Sequence, residues 1–529
     1  MKKSLAIFLL LLLSASTQVA QQDVSRLTDS GLNAVEEWRF SDADKIADQA
    51  QALLARETKA DKKAKIHSFL AQYWFYKGDY QNSLSALNMV KATGYQPDED
   101  FEKFYTRVQR LVGLVANSRE TQSEHFRFRW VDPRDEVMAR PGLEVLEKAW
   151  QALGKDFNFF PAGEKILVDI YPRPEDLASA VDLPDSMIKD SGTVAVCKFR
   201  RLMLTSPRAT LLGYDYQTTL SHELAHFFIY SRNGDAVPIW FHEGLAKYED
   251  GSYKGEAGQL DPVAKSFLAS AIKNNELITF EQMHPTFAQF KTPKQGQLAF
   301  AEVATMVDYM RNQCGSDSWF KMFNLLKTGK NDRAALEQVC GKNFSEVWSG
   351  WKKSVAAKNW PIIPGAVVMK LEFKEHEGME EAVEVMAEKG KAYEYTRLGD
   401  LLRDRSSYQA ASVEYKKALD YEPYSAKILN KLGLARILAG NYKDALEPLL
   451  KLTEIYPGYS NGFVNLGWAY FGLKDDDKAV MALNRALVLN PFNPTPYQQL
   501  HDIYKKRGDA ASAKKMQEAL MIINKEPGG

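Results

Sequence analysis

A strict period of 34 residues in the last quarter of the chain restricts its fold more than any other feature. Three columns keep this period, a leucine-glycine pair, an alanine and a proline: Leu398-Gly399, Leu432-Gly433, Leu466-Gly467 and Leu500-His501; Ala411, Ala445, Ala479 and Ala513; Pro423, Pro457 and Pro491. Small residues at fixed positions allow helices to cross closely, and a proline ends each helix pair. The period therefore predicts stacked helix pairs that bury a continuous core between neighbours.

These columns resemble the tetratricopeptide repeat (TPR), and we assign residues 393–525 to a TPR α-solenoid. The last unit lacks the glycine and the final proline, which is typical of a capping repeat. The resemblance implies a concave groove that binds a peptide or a protein partner. Seven polar or aromatic residues either line this groove or are ordinary helix surface: Tyr393, Tyr395, Arg397, Arg436, Asn461, Asn465 and Asn484.

A second pattern, His222-Glu223-Leu224-Ala225-His226, carries the chemistry. On a helix, positions i and i+4 share one face, so His222 and His226 can offer two imidazole nitrogens to one metal ion. Glu243 follows at short range and is the natural third ligand, because two histidines and one carboxylate leave a position for water on Zn²⁺. Glu223 then takes the water's proton and passes it to a leaving amine. The alternative is that this pattern arises by chance on an amphipathic helix, with both histidines as ordinary, partly buried side chains.

The two motifs resemble those of the gluzincin metallopeptidases, specifically the peptidase MA-like domains, in which a Glu-Gly-x-Ala helix start follows a tryptophan-containing turn. The resemblance covers residues 123–358 and implies an α+β zincin-like fold. It implies Zn²⁺ as the cofactor, His222, His226 and Glu243 as its ligands, and Glu223 as the catalytic general base. His242 matches no family ligand, so we expect it behind the ligands or facing solvent.

One departure from the family concerns the group that stabilises the oxyanion. Phe300 stands where related domains often carry a tyrosine, which leaves four candidate donors by proximity in sequence: Tyr214, Tyr216, Tyr248 and His242. The family also places a sheet-edge strand above the metal to pair with an extended substrate. The resemblance implies that residues 192–197 or residues 201–205 form that edge strand. The alternative is that the segment is an ordinary inner strand.

The N-terminus has the three parts of a secretory signal peptide at residues 1–20: Met1-Lys2-Lys3, an apolar run, and small residues up to Ala20. Its apolar run is too short for a transmembrane segment, and no later stretch reaches eighteen apolar residues. We therefore expect a secreted, periplasmic protein. In that oxidising compartment Cys314 and Cys340 form a disulfide or remain buried thiols, and Cys197 reads as a packed small side chain.

A length of 529 residues predicts several domains. Residues 22–115 read as a helical, TPR-like region that packs on a neighbour, and residues 359–392 as a linker after Trp360-Pro361. Lysine plus arginine and aspartate plus glutamate number 68 each, which gives no argument for nucleic acid as a partner.

These observations predict an exported zinc metallopeptidase that hydrolyses peptide bonds of envelope or extracellular proteins, with TPR repeats for substrate or partner binding. The alternative is a non-catalytic or weakly active TPR interaction scaffold with a structural zinc domain, motivated by Phe300 and by the share of the chain given to repeats. Hydrolysis of a non-protein amide in the cell wall would use the same site. The sequence does not distinguish this reaction from peptide hydrolysis.

Overall fold

The computed structural model describes residues 24–96, 98–287, 290, 292–369, 371–374 and 390–525. The predicted signal peptide at residues 1–20 lies outside the described residues, as does part of the predicted linker at 359–392. Within the described ranges, no helix combines the length and apolar character needed to cross a membrane.

Five helices of the described residues precede the first strand. They are α1 through residues 24–36, α2 Phe40–Leu54, α3 Ala60–Tyr76, α4 Tyr80–Ala92 and α5 Glu99–Val115. The predicted repeat-like unit corresponds to α3 and α4. It packs on the neighbouring sheet, because Arg129 donates to the Gly78 carbonyl oxygen (3.2 Å) and the Tyr80 and Tyr171 hydroxyl groups lie 2.9 Å apart. A single helix pair thus buries one face against the next domain, as its lack of a stack requires.

A mixed sheet of five strands follows. The strands are β1 Arg119–Gln122, β2 Phe126–Trp130, β3 Ile166–Tyr171, β4 Ala195–Lys198 and β5 Arg201–Thr205, in the order β1-β2-β3-β5-β4. The central strands β2, β3 and β5 run parallel, and the edge strands β1 and β4 are antiparallel to their neighbours. Of the two runs that sequence reasoning left open, the edge is therefore β4, whereas β5 is an inner, fully buried strand.

Helices cover the sheet and extend the domain. They are α6 Glu136–Asp156, α7 Pro174–Val181, α8 Asp185–Ser191, α9 Tyr216–Asn233, α10 Ile239–Glu249, α11 Pro262–Asn274, α12 Pro293–Gln313, α13 Ser318–Lys327, α14 Asp332–Cys340 and α15 Phe344–Ala356. The main core lies between the sheet, α6, α9, α10 and α12, with Phe128, Leu146, Leu224 and Val303 among its buried residues. A disulfide joins Cys314 to Cys340, so these two are not free thiols, and Cys197 is free.

The repeat region consists of four helix pairs. They are α16 Lys391–Asp404 with α17 Tyr408–Leu419, α18 Ala426–Leu438 with α19 Tyr442–Ile455, α20 Ser460–Gly472 with α21 Asp476–Leu489, and α22 Pro494–Lys506 with α23 Ala510–Ile523. The glycine column lies where the two helices of a pair cross. A Cβ at Gly467 would stand 2.6 Å from Leu483, and one at Gly433 would stand 2.5 Å from Leu449. Only glycine permits this approach, which explains the column in the sequence.

The repeat region packs on the region that contains the sheet, mainly through the second helix of its pairs. Helices α19, α21 and α23 contact α11, α9 and α6, respectively. Arg485 on α21 pairs with Asp215 (2.7 Å), and Lys525 pairs with Glu136 (2.8 Å). The Ser460 hydroxyl donates to the Leu212 carbonyl oxygen (2.7 Å). The helical array is thus fixed against the domain that holds the His-Glu-x-x-His motif.

Candidate metal centre

Helix α9 carries the two histidines on the side that the core leaves open. Its first turn is capped by Asp215, whose carboxylate accepts a hydrogen bond from the Thr218 backbone N–H (2.9 Å). Leu224 and Phe228 are fully buried against the core. His222 and His226 therefore point away from the core, with side chains that are 20% and 13% exposed. The helical spacing places both rings in one cleft, as the sequence predicts.

Helix α10 brings Glu243 to the same cleft. Pro238 precedes its first turn, and Gly244 faces α12. A Cβ at Gly244 would stand 2.8 Å from the Val303 carbonyl oxygen, so a glycine is needed for α10 to approach α12 this closely. The neighbouring residue, Glu243, consequently faces α9.

The three side chains converge at distances that suit one metal ion. The Nε2 atoms of His222 and His226 are 3.1 Å apart, and Oε2 of Glu243 lies 3.7 Å from the first and 3.5 Å from the second. Tetrahedral ligands bound to zinc at roughly 2.0–2.2 Å stand about 3.3 Å apart, so the nitrogen and oxygen donors fit such an ion. His226 Nδ1 is buried with no hydrogen-bond partner among the described residues, which leaves Nε2 as its contacting atom.

The two carboxyl groups of the cleft have opposite electrostatic environments. Burial raises the pKa of Glu223 to about 7, an effect that Glu243 reinforces and His222 opposes. Burial also acts on Glu243, but His226 and His222 outweigh it and lower the pKa of Glu243 to about 2. Glu243 is thus a permanent anion suited to a metal ligand, whereas Glu223 can take and release a proton near neutral pH. Burial lowers the pKa of His226 well below its ordinary value, which keeps that ring neutral.

The edge strand β4 forms one wall of the cleft, and the backbone N–H of Cys197 donates to the Glu223 carboxylate. Phe300 lines the cleft without offering a donor. His242 also lines it: this side chain is partly buried, and its ring lies 4.6 Å from that of His226. The three candidate tyrosines are engaged elsewhere: Tyr214 donates to the Thr205 carbonyl oxygen, Tyr216 is buried beside Gln217, and Tyr248 packs on Trp319.

Comparison with protein families matches residues 161–357 to the Peptidase MA superfamily. Residues 161–357 form a Peptidase MA superfamily domain. Residues 396–460 and 461–493 match tetratricopeptide repeats. The chain therefore combines an MA domain with C-terminal TPR repeats, as the sequence predicts. Members of this superfamily are typically metallopeptidases, in agreement with the candidate ligand group.

Among curated proteins, the chain is 31% identical over 100 residues to the type IV pilus assembly protein PilF of Pseudomonas aeruginosa. That match covers 18% of this chain and 40% of PilF, so the chain spans less than half of its relative. Among solved structures, a crystal structure of MamA is 29% identical over 24% of this chain and 74% of its own, with a TM-score of 0.23. MamA from Desulfovibrio magneticus RS-1 is 24% identical, with coverages of 26% and 77% and a TM-score of 0.25.

Among the cleft residues that sequence reasoning missed, one group lies near Tyr230 at the metal centre and another lies in the linker. Trp38 reaches the metal centre from the N-terminal helices, beside Tyr230 of α9. Val368, Met369 and Leu371 of the linker line the other end of the cleft. Of these residues, only Tyr230 could have been predicted from the sequence, because it lies one helical turn after His226 and therefore on the same face of the helix.

Proposed function

We propose that this protein is an exported, zinc-dependent metallopeptidase whose TPR repeats bind its protein substrate or a partner. One observation carries the proposal: three side chains suited to one zinc ion converge in a cleft beside a buried carboxyl group, Glu223, whose pKa is about 7. The Peptidase MA match supports the same reading.

In this proposal His222, His226 and Glu243 hold the ion, which when bound lowers the pKa of water and polarises a carbonyl oxygen. Glu223 accepts a proton from the attacking water and returns it to the leaving amine, a role suited to its raised pKa. The edge strand β4 offers main-chain groups with which a substrate segment can pair. His242 is the one of the four candidate oxyanion donors that lines the metal end of the cleft.

The TPR array supplies the binding function in this proposal. Because α19, α21 and α23 face the MA domain, the grooved side formed by α16, α18, α20 and α22 is left for a protein partner. Polar groups on these helices are already linked to one another: Asn465 donates to Asn430 (2.8 Å), and Lys431 pairs with Asp400 (2.6 Å). These contacts join the first helices of neighbouring pairs to one another, and Asn465 is itself buried.

Export to the periplasm is part of the proposal. It rests on the signal-like residues 1–20 and is supported by the Cys314–Cys340 disulfide, since disulfides persist in oxidising compartments.

A second function keeps a specific observation in its favour. Phe300 lines the cleft at the place where related domains often carry a hydroxyl donor, so the chain is alternatively a TPR scaffold with a structural zinc domain. Under that alternative, loss of the metal lowers thermal stability and no cleavage product forms.

Metal analysis of the purified mature protein tests the proposal. We expect about one zinc ion per chain in the wild type and loss of it in His222→Ala and Glu243→Ala. His242→Ala is the matched control, because this side chain also lines the cleft but is not a predicted ligand, and it should retain the metal. A protein purified without chelators that folds and holds no zinc would refute the peptidase proposal.

A further inference from the structure

The cleft has two lobes that meet at the metal centre. The smaller lobe has a volume of about 360 Å³ and the larger one about 1,090 Å³. Four residues line both lobes: Thr193, His222, Glu243 and Phe300. The predicted ligands therefore stand midway along one continuous cleft, with space for substrate on both sides.

The long axis of this cleft follows the edge strand and the motif helix. Ser191, shortly before β4, and Thr218 line only the larger lobe, whereas Cys197 and Tyr230 line only the smaller one, so β4 and α9 both run from the larger to the smaller lobe. Thr205 donates to the Val194 carbonyl oxygen, which makes these residues a hydrogen-bonded pair. Because such pairs alternate in an antiparallel ladder, the main-chain groups of Ala195 and Cys197 turn away from β5 and toward the cleft.

The larger lobe has a predominantly apolar lining that also includes acidic side chains. Its apolar lining includes Met187, Ile239, Leu260, Phe287, Phe290 and Leu371. The rings of Phe287 and Phe300 meet edge to face at 5.4 Å between centroids. Four aspartates also line it; Asp215 and Asp250 are paired with Arg485 and Lys247, and the other two are Asp190 and Asp261. This environment favours a bulky apolar side chain and disfavours an acidic one.

The linker supplies part of that apolar wall. Its chain is held on the MA domain by main-chain hydrogen bonds from Leu211 N–H to the Glu372 carbonyl oxygen (2.9 Å) and from Lys374 N–H to Ala209 (2.8 Å). Leu371 is thereby fixed beside Gly192 at the start of the β4 edge.

The N-terminal helices form part of the wall of the smaller lobe. Trp38, in the turn between α1 and α2, has a left-handed backbone with φ of 58°, which is rare for a bulky residue and costs free energy. Its ring lies 4.1 Å from that of Tyr230, whose hydroxyl donates to the Glu36 carbonyl oxygen (2.8 Å). The strained turn thus sets an aromatic ring at the end of the cleft opposite the linker.

We propose that the cleft takes an internal segment of an extended polypeptide and that the larger lobe selects a bulky apolar residue on one side of the cleaved bond, an inference that rests on the proposed peptidase function. The protein is in this proposal an endopeptidase whose specificity is set by Leu371 and Trp38, residues outside the MA domain. The reaction is hydrolysis: the water oxygen joins the carbonyl carbon, the C–N bond breaks, and the amine takes the proton.

A library of random fourteen-residue peptides with acetylated N-termini and amidated C-termini, incubated with the metal-loaded full chain, tests this. Mass spectrometry of the products should show internal cleavage, with leucine, phenylalanine and methionine enriched and aspartate and glutamate depleted at one position beside the cut. Cleavage restricted to an unblocked library, one residue at a time, would overturn the endopeptidase assignment, and internal cleavage without apolar enrichment would overturn the selecting lobe. Cleavage of neither library by zinc-loaded protein would instead refute the peptidase function itself.

Paired variants locate the selecting residues. Leu371→Asp should lower the apolar enrichment at least tenfold and favour lysine and arginine at the same position. Ile362→Asp, in the same linker and exposed, is the matched control and should leave the profile unchanged. Trp38→Ala should change the preference on the other side of the cut, whereas Trp74→Ala, in the same helical region, should not. Equal profiles for Leu371→Asp and Ile362→Asp, with metal content retained, would overturn the role of the linker.

Discussion

The metal cleft and the TPR array are assembled in different ways from the same chain. The array repeats one local solution, in which a glycine on one helix meets a side chain on the next: Gly399 with Tyr415, Gly433 with Leu449 and Gly467 with Leu483. The cleft collects single residues from distant segments, from Trp38 through His222 and Glu243 to Leu371. Residues that pack at equivalent positions of each repeat can therefore be recognised in a single sequence. A site that occurs once in the chain has no internal repeat by which it could be recognised.

The two regions also handle charge differently. In the cleft, Glu223 is buried and Glu243 is partly buried, and their pKa values of about 7 and about 2 fall on opposite sides of the ordinary value. In the array, charged side chains pair at the surface, as Arg507 does with Asp477 (2.7 Å). The contrast is consistent with our proposal that the MA domain carries the chemistry and the array the recognition. We therefore expect substitutions in the array to leave zinc binding unchanged, and substitutions in the cleft to leave the packing of the array unchanged.

The largest effect is expected from Glu223→Gln. The amide cannot accept the proton of water, so kcat/KM for peptide cleavage should fall by about 10²–10⁴. Zinc content should stay at the wild-type value, because Glu223 is not a predicted ligand. Cleavage of the peptide library at the wild-type rate by this variant would remove Glu223 from its role and weaken the division between the regions.

Glu249 provides a pH test of the MA domain. Burial raises the pKa of this fully buried side chain to about 8, with Asp156 adding and Arg311 opposing. The folded state thus binds a proton that the unfolded state has lost, so the free energy of unfolding falls as the pH rises from about 4.5 to 8. Glu249→Gln should remove about 2–4 kcal/mol of this loss at pH 8, an order-of-magnitude figure.

Thermal unfolding of the wild type and of Glu249→Gln across this pH range measures the difference in the free energy of unfolding. Glu256→Gln, on the exposed surface nearby, serves as the control and should follow the wild-type curve. If the stability of Glu249→Gln changed with pH in the same way as that of the wild type, the raised pKa of Glu249 would be contradicted.

In the array, Gly467→Val should destabilise by about 1–3 kcal/mol, because the new Cβ overlaps Leu483 at the helix crossing. Gly458→Val is the matched control, since a Cβ there has open space. Chemical denaturation followed by circular dichroism gives the difference, while zinc content should be unchanged in both variants. Loss of zinc from Gly467→Val would show that the two regions are not separable.

The smallest effect is expected where the regions meet. Arg485→Ala removes the ion pair with Asp215, the residue that caps α9, and should cost about 1 kcal/mol or less. Hydrogen exchange in the first turn of α9 should become faster. Arg507→Ala removes a pair that lies within the array, and it should leave α9 exchange unchanged. The same acceleration in both variants would argue against a specific link between the array and the motif helix.

Much of the site could be predicted from sequence because it depends on local geometry. Helical spacing alone places His222 and His226 on one face, and the short segment to Glu243 limits how far the third ligand can lie from them. The edge strand could be narrowed only to two runs, since strand order depends on how β3, β4 and β5 pair. The sequence left four candidate oxyanion donors. Tyr214 and Tyr216 are buried in the core and Tyr248 packs on Trp319, so of the four only His242 lines the metal end of the cleft.

The sequence by itself determined the repeat array, the motif helix and the candidate ligands, because each follows from a period or a spacing within a few turns of helix. Only the tertiary structure decided that β4 is the edge, that Cys314 bonds Cys340, and that Trp38 and Leu371 line the two lobes of one cleft. The physical reason is the range of the interactions involved. Helix periodicity is fixed by neighbours along the chain, whereas the walls of a cleft are fixed by packing between segments hundreds of residues apart.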